Sequence, residues 1–479
     1  MLGLLGIVIL LAGLIYFAYR GVTVLVLAPL MALLAVLFSG VWSAELLATY
    51  TQVFMQSLGK YLTQFFPVFL LGAIFGKVMA DSGAAEAIAR WVVDRLGAAR
   101  AIAAVVLSCG ILTYGGVSLF VVAFAVFPIA VSLFRAAGVP RRLIPAAIAL
   151  GSFTFTMTAI PGTPAMQNAI PAAFFGTDTF AAPGLGLIAG AIMLFGGLAW
   201  LQRRAAVAQA AGEGYGEPGP NDGASSEGGS HDTGPHNIGA VPQRELPGIG
   251  LAVLPIVAVI GLNYLLSRVV FPATDLGFLA QERFGAVQPG AVTGLWSLIA
   301  ALAAATVLAL VLHRRFLSDP SRSVNEGTLG SLLPIFNTAS EVAYGAVIAS
   351  LAAFALVRDA VLSIAPANPT VSLAVAVNTL AGITGSASGG LSIALDTLGA
   401  TYLERALAAG ISPELLHRVA TISSGGFDAL PHNGAVVTLL AITGLAHARS
   451  YLDIFVVAVV IPVTALLVVL LLGSVFGSF

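Results

Sequence analysis

Charge is scarce in this sequence: Asp, Glu, Lys and Arg together supply 9% of its residues, where a soluble globular protein carries about a quarter. Because 58% of the chain is apolar, a water-soluble fold is excluded and an all-α protein that crosses the bilayer many times is implied. Basic clusters are missing, as is any arginine–aromatic pattern, which removes nucleic acid as a partner. The lone cysteine, Cys109, rules out an intramolecular disulfide; it lies in an apolar run and reads as a small buried side chain rather than a reactive thiol. No basic residue precedes the apolar run from Leu2 to Tyr19, and a second span follows at once from Gly21 to Val41. The run is therefore expected to be a retained first transmembrane helix and not a cleaved signal.

Apolar spans near or above the ~20 residues that cross a hydrocarbon core lie at 2–19, 22–41, 62–80, 142–176, 183–201, 247–270, 290–312, 332–357, 414–447 and 451–476. Of these ten crossings, 142–176 and 414–447 are broken by polar residues. Two further stretches, 100–135 and 368–405, each hold two shorter apolar arms around a glycine-rich centre, the pattern of a re-entrant hairpin. Counting either hairpin as two full crossings keeps the parity, so charge alone leaves both readings open. With the N-terminus outside, Arg20, Arg90, Arg95, Arg100, Arg135, Arg141, Arg142, Arg203, Arg204, Arg314, Arg315 and Arg322 all fall on the cytoplasmic side.

The chain thus divides into N-terminal helices (1–60), a first unit (61–201), a linker (202–246), scaffold helices (247–331) and a second unit (332–479). The linker turns to Gly, Ser, Glu, Asp and Pro without apolar periodicity and is expected to be disordered and cytoplasmic. His231 and His236 lie in it without cysteine partners or helical spacing, so no metal is expected there, and no cofactor elsewhere.

The two units read as repeats. Ala137-Gly138-Val139-Pro140-Arg141-Arg142-Leu143-Ile144 follows the first hairpin, and Ala409-Gly410-Ile411-Ser412-Pro413-Glu414-Leu415-Leu416 follows the second; a helix and a polar break come next in each case. On the charge-based topology the unit from about 62 begins outside and the unit from about 332 begins inside, which makes the repeats inverted.

The breaks carry the functional signal. The first half contains Thr113-Tyr114-Gly115-Gly116-Val117-Ser118 and Thr158-Ala159-Ile160-Pro161-Gly162-Thr163-Pro164; the second contains Gly385-Ser386-Ala387-Ser388-Gly389-Gly390 and Ser423-Ser424-Gly425-Gly426-Phe427-Asp428. An unpaired backbone group in hydrocarbon costs several kcal/mol, so non-helical chain at membrane depth implies a cavity, and helices broken at matching places in two halves imply a secondary transporter. Free N–H groups and helix N-termini at such breaks favour a small organic anion, a carboxylate above all. Gly115, Gly116, Gly389 and Gly390 admit close backbone approach, and Thr113, Ser118, Ser386 and Ser388 offer hydroxyls. Close helix packing is the competing account of the same small residues.

The later breaks add Thr154, Thr156, Thr158, Thr163, Gln167 and Asn168, then Ser423, Ser424, Asp428, His432, Asn433 and Thr438. Ionisable side chains at membrane depth are costly and usually functional, so Asp428 and His432 are candidates for binding a coupling proton; a buried ion pair or a helix cap is the alternative. Four apart, they share a face if helix persists past Pro431. Glu341 and Asp396 are candidates for a solute path or an interdomain contact. Asp81 fits an N-cap, and Glu86 with Arg90 an i,i+4 pair, of the amphipathic stretch ending near Gly97.

Asp81-Ser82-Gly83-Ala84-Ala85-Glu86-Ala87-Ile88-Ala89, Thr113-Tyr114-Gly115-Gly116, Ile160-Pro161-Gly162-Thr163-Pro164 and Leu430-Pro431-His432-Asn433-Gly434-Ala435-Val436 together resemble the gluconate permease (GntP) family of the ion transporter superfamily, from about Tyr61 to the C-terminus without the linker. The resemblance implies a proton-linked importer of an organic acid in a bacterial inner membrane. It further implies hairpins that move in an elevator-like transport domain against a dimeric scaffold. At the last break the sequence is similar to the D-3-hydroxybutyrate permease branch, and departs from the His-Val-Asn-Asp type of gluconate carriers.

Uncharged, hydroxyl-rich breaks with no arginine inside the membrane to clamp a second carboxylate favour a hydroxylated monocarboxylate, 3-hydroxybutyrate above gluconate. Sodium is the alternative coupling ion, since hydroxyls and free carbonyls at breaks also suit it. An intramembrane hydrolase using Ser388 and His432 lacks the Gly-x-Ser-Gly, His-Glu-x-x-His and Gly-x-Gly-Asp patterns of that class. A channel is disfavoured because paired hairpins and inverted repeats serve occlusion rather than a continuous pore.

Overall fold

The structure is a computed structural model that describes residues 9–10, 12–13, 16–17, 23–40, 42, 44–216, 245–365, 368–431 and 433–479. No strand occurs among the described residues. The first half runs through α1 (Val24–Phe38), the long α2 (Glu45–Asp81), the short α3 (Ala84–Leu96) and the hairpin arms α4 (Ala101–Tyr114) and α5 (Leu119–Ala137). A broken span follows as α6 (Ile144–Ser152), α7 (Phe155–Thr158) and α8 (Met166–Phe175), and the long α9 (Pro183–Ala210) closes the half. After α10 (Ile249–Ala273) and α11 (Pro289–Leu312), the same order returns. It comprises the long α12 (Pro320–Ser350), the short α13 (Phe354–Leu362), the arms α14 (Pro369–Thr384) and α15 (Ala387–Ala408), the broken pieces α16 (Pro413–Ser424) and α17 (Gly434–Thr443), and the long α18 (His447–Phe476).

Among the described residues six helices, α2, α9, α10, α11, α12 and α18, are each long and apolar enough to cross a bilayer. The other four crossings read from sequence are the 2–19 run, which lies largely outside the described residues, the 15-residue α1 and the two broken spans. Both long central helices start before their apolar stretch does. In α12 the cause is local: Asp319 caps the first turn by accepting from the Arg322 N–H, and Pro320 occupies the position where its missing donor costs nothing.

α2 and α12 pack closely, because Gly327 lies against the backbone of Ile74, where an added Cβ would come within 2.7 Å of its Cα. Beside that crossing Lys77 bridges Asp81 at 2.9 Å and Glu326 at 2.8 Å, and Ser323 Oγ donates to Asp81 Oδ2 at 2.7 Å. Asp81 is therefore not the N-cap of the next helix, as its sequence context suggested. It is the last residue of α2, held there by partners on α12 that the local sequence does not show, and Gly83 takes the cap position. The Glu86–Arg90 pair forms as expected, at 2.5 Å.

The linker also begins later than residue 202. Its alanine-rich start continues α9 to Ala210, and the next residues fold back: Glu213 accepts from Arg142 at 2.7 and 2.9 Å, and the Arg135 guanidinium stacks over Tyr215. Residues 217–244, with His231 and His236, lie outside the described residues. Arg135, Arg141, Arg142 and Arg204, assigned to one membrane face by charge, thus meet around 213–215 and Asp453.

Candidate functional site

Each hairpin arrives with its tip against the broken span of its own half. α4 and α5 run antiparallel; their open ends, Ala98–Ile102 and Ala136–Val139, border one cavity of about 500 Å³ at the end where the arginines gather. α4 has 14 residues, about 21 Å of helix, so its tip stops short of a ~30 Å hydrocarbon core. There Tyr114 donates from its hydroxyl to the Pro161 carbonyl at 2.8 Å. In the second half Asn433 Nδ2 donates to the Gly385 carbonyl at 2.8 Å.

The chain leaves helix at these breaks for identifiable reasons. Pro161 and Pro164 remove backbone donors, and Gly162 has φ +82°, with its N–H donating to the Thr179 carbonyl and its missing side chain replaced by the Phe180 ring. In the second break Gly425 and Gly426 end α16, and a Cβ on Gly425 would come within 2.8 Å of Thr158 Cγ2. The two breaks therefore touch.

They also run in opposite directions. Arg141, before the first broken span, donates to the Thr443 carbonyl at the end of the second at 2.6 Å. At the other end Arg268 bridges Asp178, just past the first, and Glu414, at the start of the second. The Thr158–Gly425 contact lies between these ends, so the broken spans are antiparallel.

A buried arginine locks this crossing, and it corrects the expectation that none lies inside the membrane spans. Arg418 of α16 is fully buried, and its five N–H donors are all engaged: Nε to Ala181 O at 3.0 Å, one terminal nitrogen to Ala159 O and Asn168 Oδ1, the other to Ala181 O at 2.7 Å and Thr179 O at 3.4 Å. His417 beside it contacts Asn168 Oδ1 at 3.2 Å and Thr177 Oγ1 at 2.6 Å. The signal was present, an arginine and a histidine amid Leu415, Leu416 and Val419; reading the span as starting at 414 put them near its mouth. Because its donors are spent on protein oxygens, Arg418 satisfies carbonyls freed by the break and leaves no fork for a ligand carboxylate.

Among the other sequence candidates, Thr113 is buried with an Oγ1 that has no partner among the described residues. Gly116, at φ +89°, faces the first break, where a Cβ would lie 2.9 Å from Pro164 Cγ. Gly115 faces Ile256 of α10 instead, and Ser118 is exposed. Thr158 and Thr163 are buried, with Thr158 Oγ1 donating to Thr154 O and the Thr163 carbonyl accepting from Asn168. Ser386 caps α15 by accepting from Gly389 N–H at 3.0 Å, and Ser388 is half-buried on the same turn. Gly390 is a packing residue: a Cβ there would strike the backbone of Ala381 in the facing arm. Ser424 Oγ donates to the Thr421 carbonyl at 2.7 Å.

Asp428 is buried in the second break with Oδ1 unpartnered among the described residues. α16 ends at Ser424, so the helix on which a shared face for Asp428 and His432 depended is absent at Asp428; His432 itself lies outside the described residues. Asp396, on α15, pairs with Lys60 of α2 at 3.4 Å. Among the described residues no group of three His, Cys, Asp or Glu side chains could hold a metal ion.

Comparison with known proteins follows the same lines. A model of the GntP family permease matches residues 1–207. The uncharacterized transporter YxjC of Bacillus subtilis (strain 168) is 43% identical over 463 residues, covering 95% of this chain and 96% of the relative. Among solved structures, MtrF of Neisseria gonorrhoeae, described as illuminating a class of antimetabolite efflux pumps, superposes with a TM-score of 0.54 over 90% of this chain and 84% of its own at 14% identity, a likeness of fold.

Proposed function

Because this chain belongs to the GntP permease family and is a multi-pass inner-membrane transporter, we propose that it imports a small hydroxylated monocarboxylate, 3-hydroxybutyrate or a close analogue, together with a proton. One observation carries the reading: in each half a hairpin tip is hydrogen-bonded to the break of a broken span, through Tyr114 to Pro161 and through Asn433 to Gly385. The antiparallel crossing of the two breaks supports inverted repeats, and with them two mirrored gating states. Movement of the hairpins as an elevator-like unit in a homodimer belongs to the same proposal.

The anion is held by backbone N–H groups in the first turns of α5 and α15, at the hairpin tips, with Thr113, Thr158, Thr163, Ser386, Ser388, Ser424 and Asn433 supplying polar side chains around it. Thr113 Oγ1, buried and unpartnered, is the hydroxyl ready to receive a ligand. Arg418 does not extend the site to dicarboxylates, since each of its donors already has a protein acceptor. Asp428 is the coupling group of this break, with His432 as its proton partner.

Counterflow of labelled 3-hydroxybutyrate in proteoliposomes tests the assignment, with unlabelled 3-hydroxybutyrate, gluconate, succinate and citrate as competitors. The monocarboxylate should compete best. Displacement by citrate or succinate ahead of every monocarboxylate overturns it.

A further inference from the structure

Glu341 lies in the middle of α12, 6% exposed, and its Oε2 has no hydrogen-bond partner among the described residues. That oxygen occupies the space where a side chain on Gly389 would project, and Ser386 Oγ lies 2.9 Å from the same point. The carboxyl is thus aimed into the first turn of α15, a 22-residue helix, at the tip of the second hairpin. On its opposite side the same hairpin meets the second break: Gly426 abuts Asn378 of α14, and Gly382 abuts Phe427. The hairpin is held between the break that carries Asp428 and a helix that carries Glu341.

Among the described residues no cation pairs with this carboxyl. From α2, the groups facing it are Tyr61, whose hydroxyl is 3.4 Å from Ser392 Oγ, and Lys60, which is largely exposed and paired with Asp396 of α15. α12 itself adds the buried Tyr344, α1 contains no ionisable side chain, and Arg358 and Asp359 of α13 pair with each other. The cavity beside Tyr61, Val342 and Ser392 measures about 10 Å³, hardly room for one water. An ionised carboxylate buried without a cation or sufficient donors is strongly disfavoured, whereas a neutral carboxyl needs only one acceptor.

Resting on the transport reading above, we propose that Glu341 is a second proton-binding site: Oε2 carries a proton while the second hairpin is seated against α12, and loses it to water when the hairpin withdraws. Loading forms one O–H bond at Oε2 and release breaks it heterolytically, with no other reactant. Gly389 is then glycine because the carboxyl needs its side-chain space, and the seated contact becomes sensitive to proton concentration.

Full-length protein supplies two readouts. In infrared difference spectra between acid and alkaline buffer, the wild type should show a protonated-carboxyl band that Glu341→Gln removes and Glu341→Asp shifts. In proteoliposomes with labelled 3-hydroxybutyrate, Glu341→Gln should lower accumulation driven by an imposed pH gradient by about ten-fold or more, and its exchange should lose the pH dependence of the wild type. Wild-type-like accumulation and pH dependence in Glu341→Gln overturns the proposal, as does accumulation that follows sodium and ignores pH. If Glu341→Gln fails to fold, an infrared band unmoved in Glu341→Asp overturns it. If the wild type exchanges none of the four acids, the substrate reading fails, while the infrared band still decides whether Glu341 holds a proton.

Discussion

Asn433 joins two parts of the second half that are 48 positions apart: its Nδ2 donates to the Gly385 carbonyl at 2.8 Å while its Oδ1 accepts from the Val436 N–H at 2.9 Å. One amide therefore caps α17 and holds the hairpin tip. Neither a carboxylate nor a hydroxyl can do both, because only the amide presents a donor and an acceptor at that reach.

Asn433→Asp should keep the cap and lose the tether, since a second oxygen would face the Gly385 carbonyl. Uptake should fall about ten-fold, the cost of one well-placed hydrogen bond, and the unfolding temperature should fall with it, since the Gly385 carbonyl loses its donor inside the protein. Asn433→Ala should lose both functions and a further ~1 kcal/mol of stability. Equal uptake by the wild type and Asn433→Asp would show that the tip needs no tether.

Gly116 and Gly138 separate backbone conformation from contact. Both have positive φ, +89° and +63°, but a Cβ at 116 meets Pro164 and one at 138 meets nothing within 4 Å. Alanine at either position should cost about 1–2 kcal/mol in thermal unfolding. Only Gly116→Ala should abolish uptake, and Gly116→Val likewise; near-normal transport by these variants would reduce Gly116 to a turn residue.

The elements that position the site were legible because apolar arms interrupted by Gly, Pro and hydroxyls have few explanations at membrane depth. The structure has paired arms over Ala101–Ala137 and Pro369–Ala408 and interrupted helices over Ile144–Phe175 and Pro413–Thr443. Residues whose roles depend on a distant partner were not legible. Asp81 ends α2 because Lys77 and Ser323 hold it, and Ser323 is 242 positions away. His417 and Arg418 amid leucines marked the place, but the carbonyls freed at 159 and 179–181 that Arg418 satisfies lie at least 237 positions away. Gly390 matched Gly116 in motif, yet it packs against Ala381, so Gly390→Val should prevent the hairpin from folding rather than block a folded transporter.

Arg418→Lys keeps the charge but offers at most three donors where five are used. Leaving carbonyls unsatisfied around a buried cation should cost about 3–5 kcal/mol, seen as a lower unfolding temperature and poor recovery from detergent. The ranking of competing acids should stay the same in whatever fraction folds. A switch toward dicarboxylates would mean that the arginine does reach the ligand.

Acid should loosen one end of the bundle. The hydrogen bond from Arg142 holds the Glu213 carboxyl below its ordinary 4.5, so the stability it contributes is complete above about 4.5 and is lost as pH falls through the lowered value. Arg142 also reaches Asp453, which accepts from Trp200 Nε1 at 3.0 Å. With Trp42, Trp91 and Trp296 replaced by Phe, Trp200 emission should shift to the red on acidification below 4.5. In Glu213→Gln, which lacks the titrating group, this step should vanish; its persistence would show that Glu213 is not the group that titrates.

Coupling is the most demanding test of the break itself. Asp428 is buried with one oxygen unpartnered among the described residues, and the chain around it is non-helical, so its protonation can change only when the site exchanges contents with water on one side or the other. Asp428→Asn fixes the neutral state. Such a protein should still exchange labelled 3-hydroxybutyrate across the membrane, at a reduced rate, because the loaded form moves in both directions. It should fail to concentrate the label against a gradient when a pH difference is imposed, because no proton is released with the acid. His432→Gln should show the same split if the histidine relays that proton, and only a change in rate if it does not. Should the wild type require sodium and ignore the pH difference, the proton assignment of Asp428 falls and its carboxylate becomes a sodium ligand.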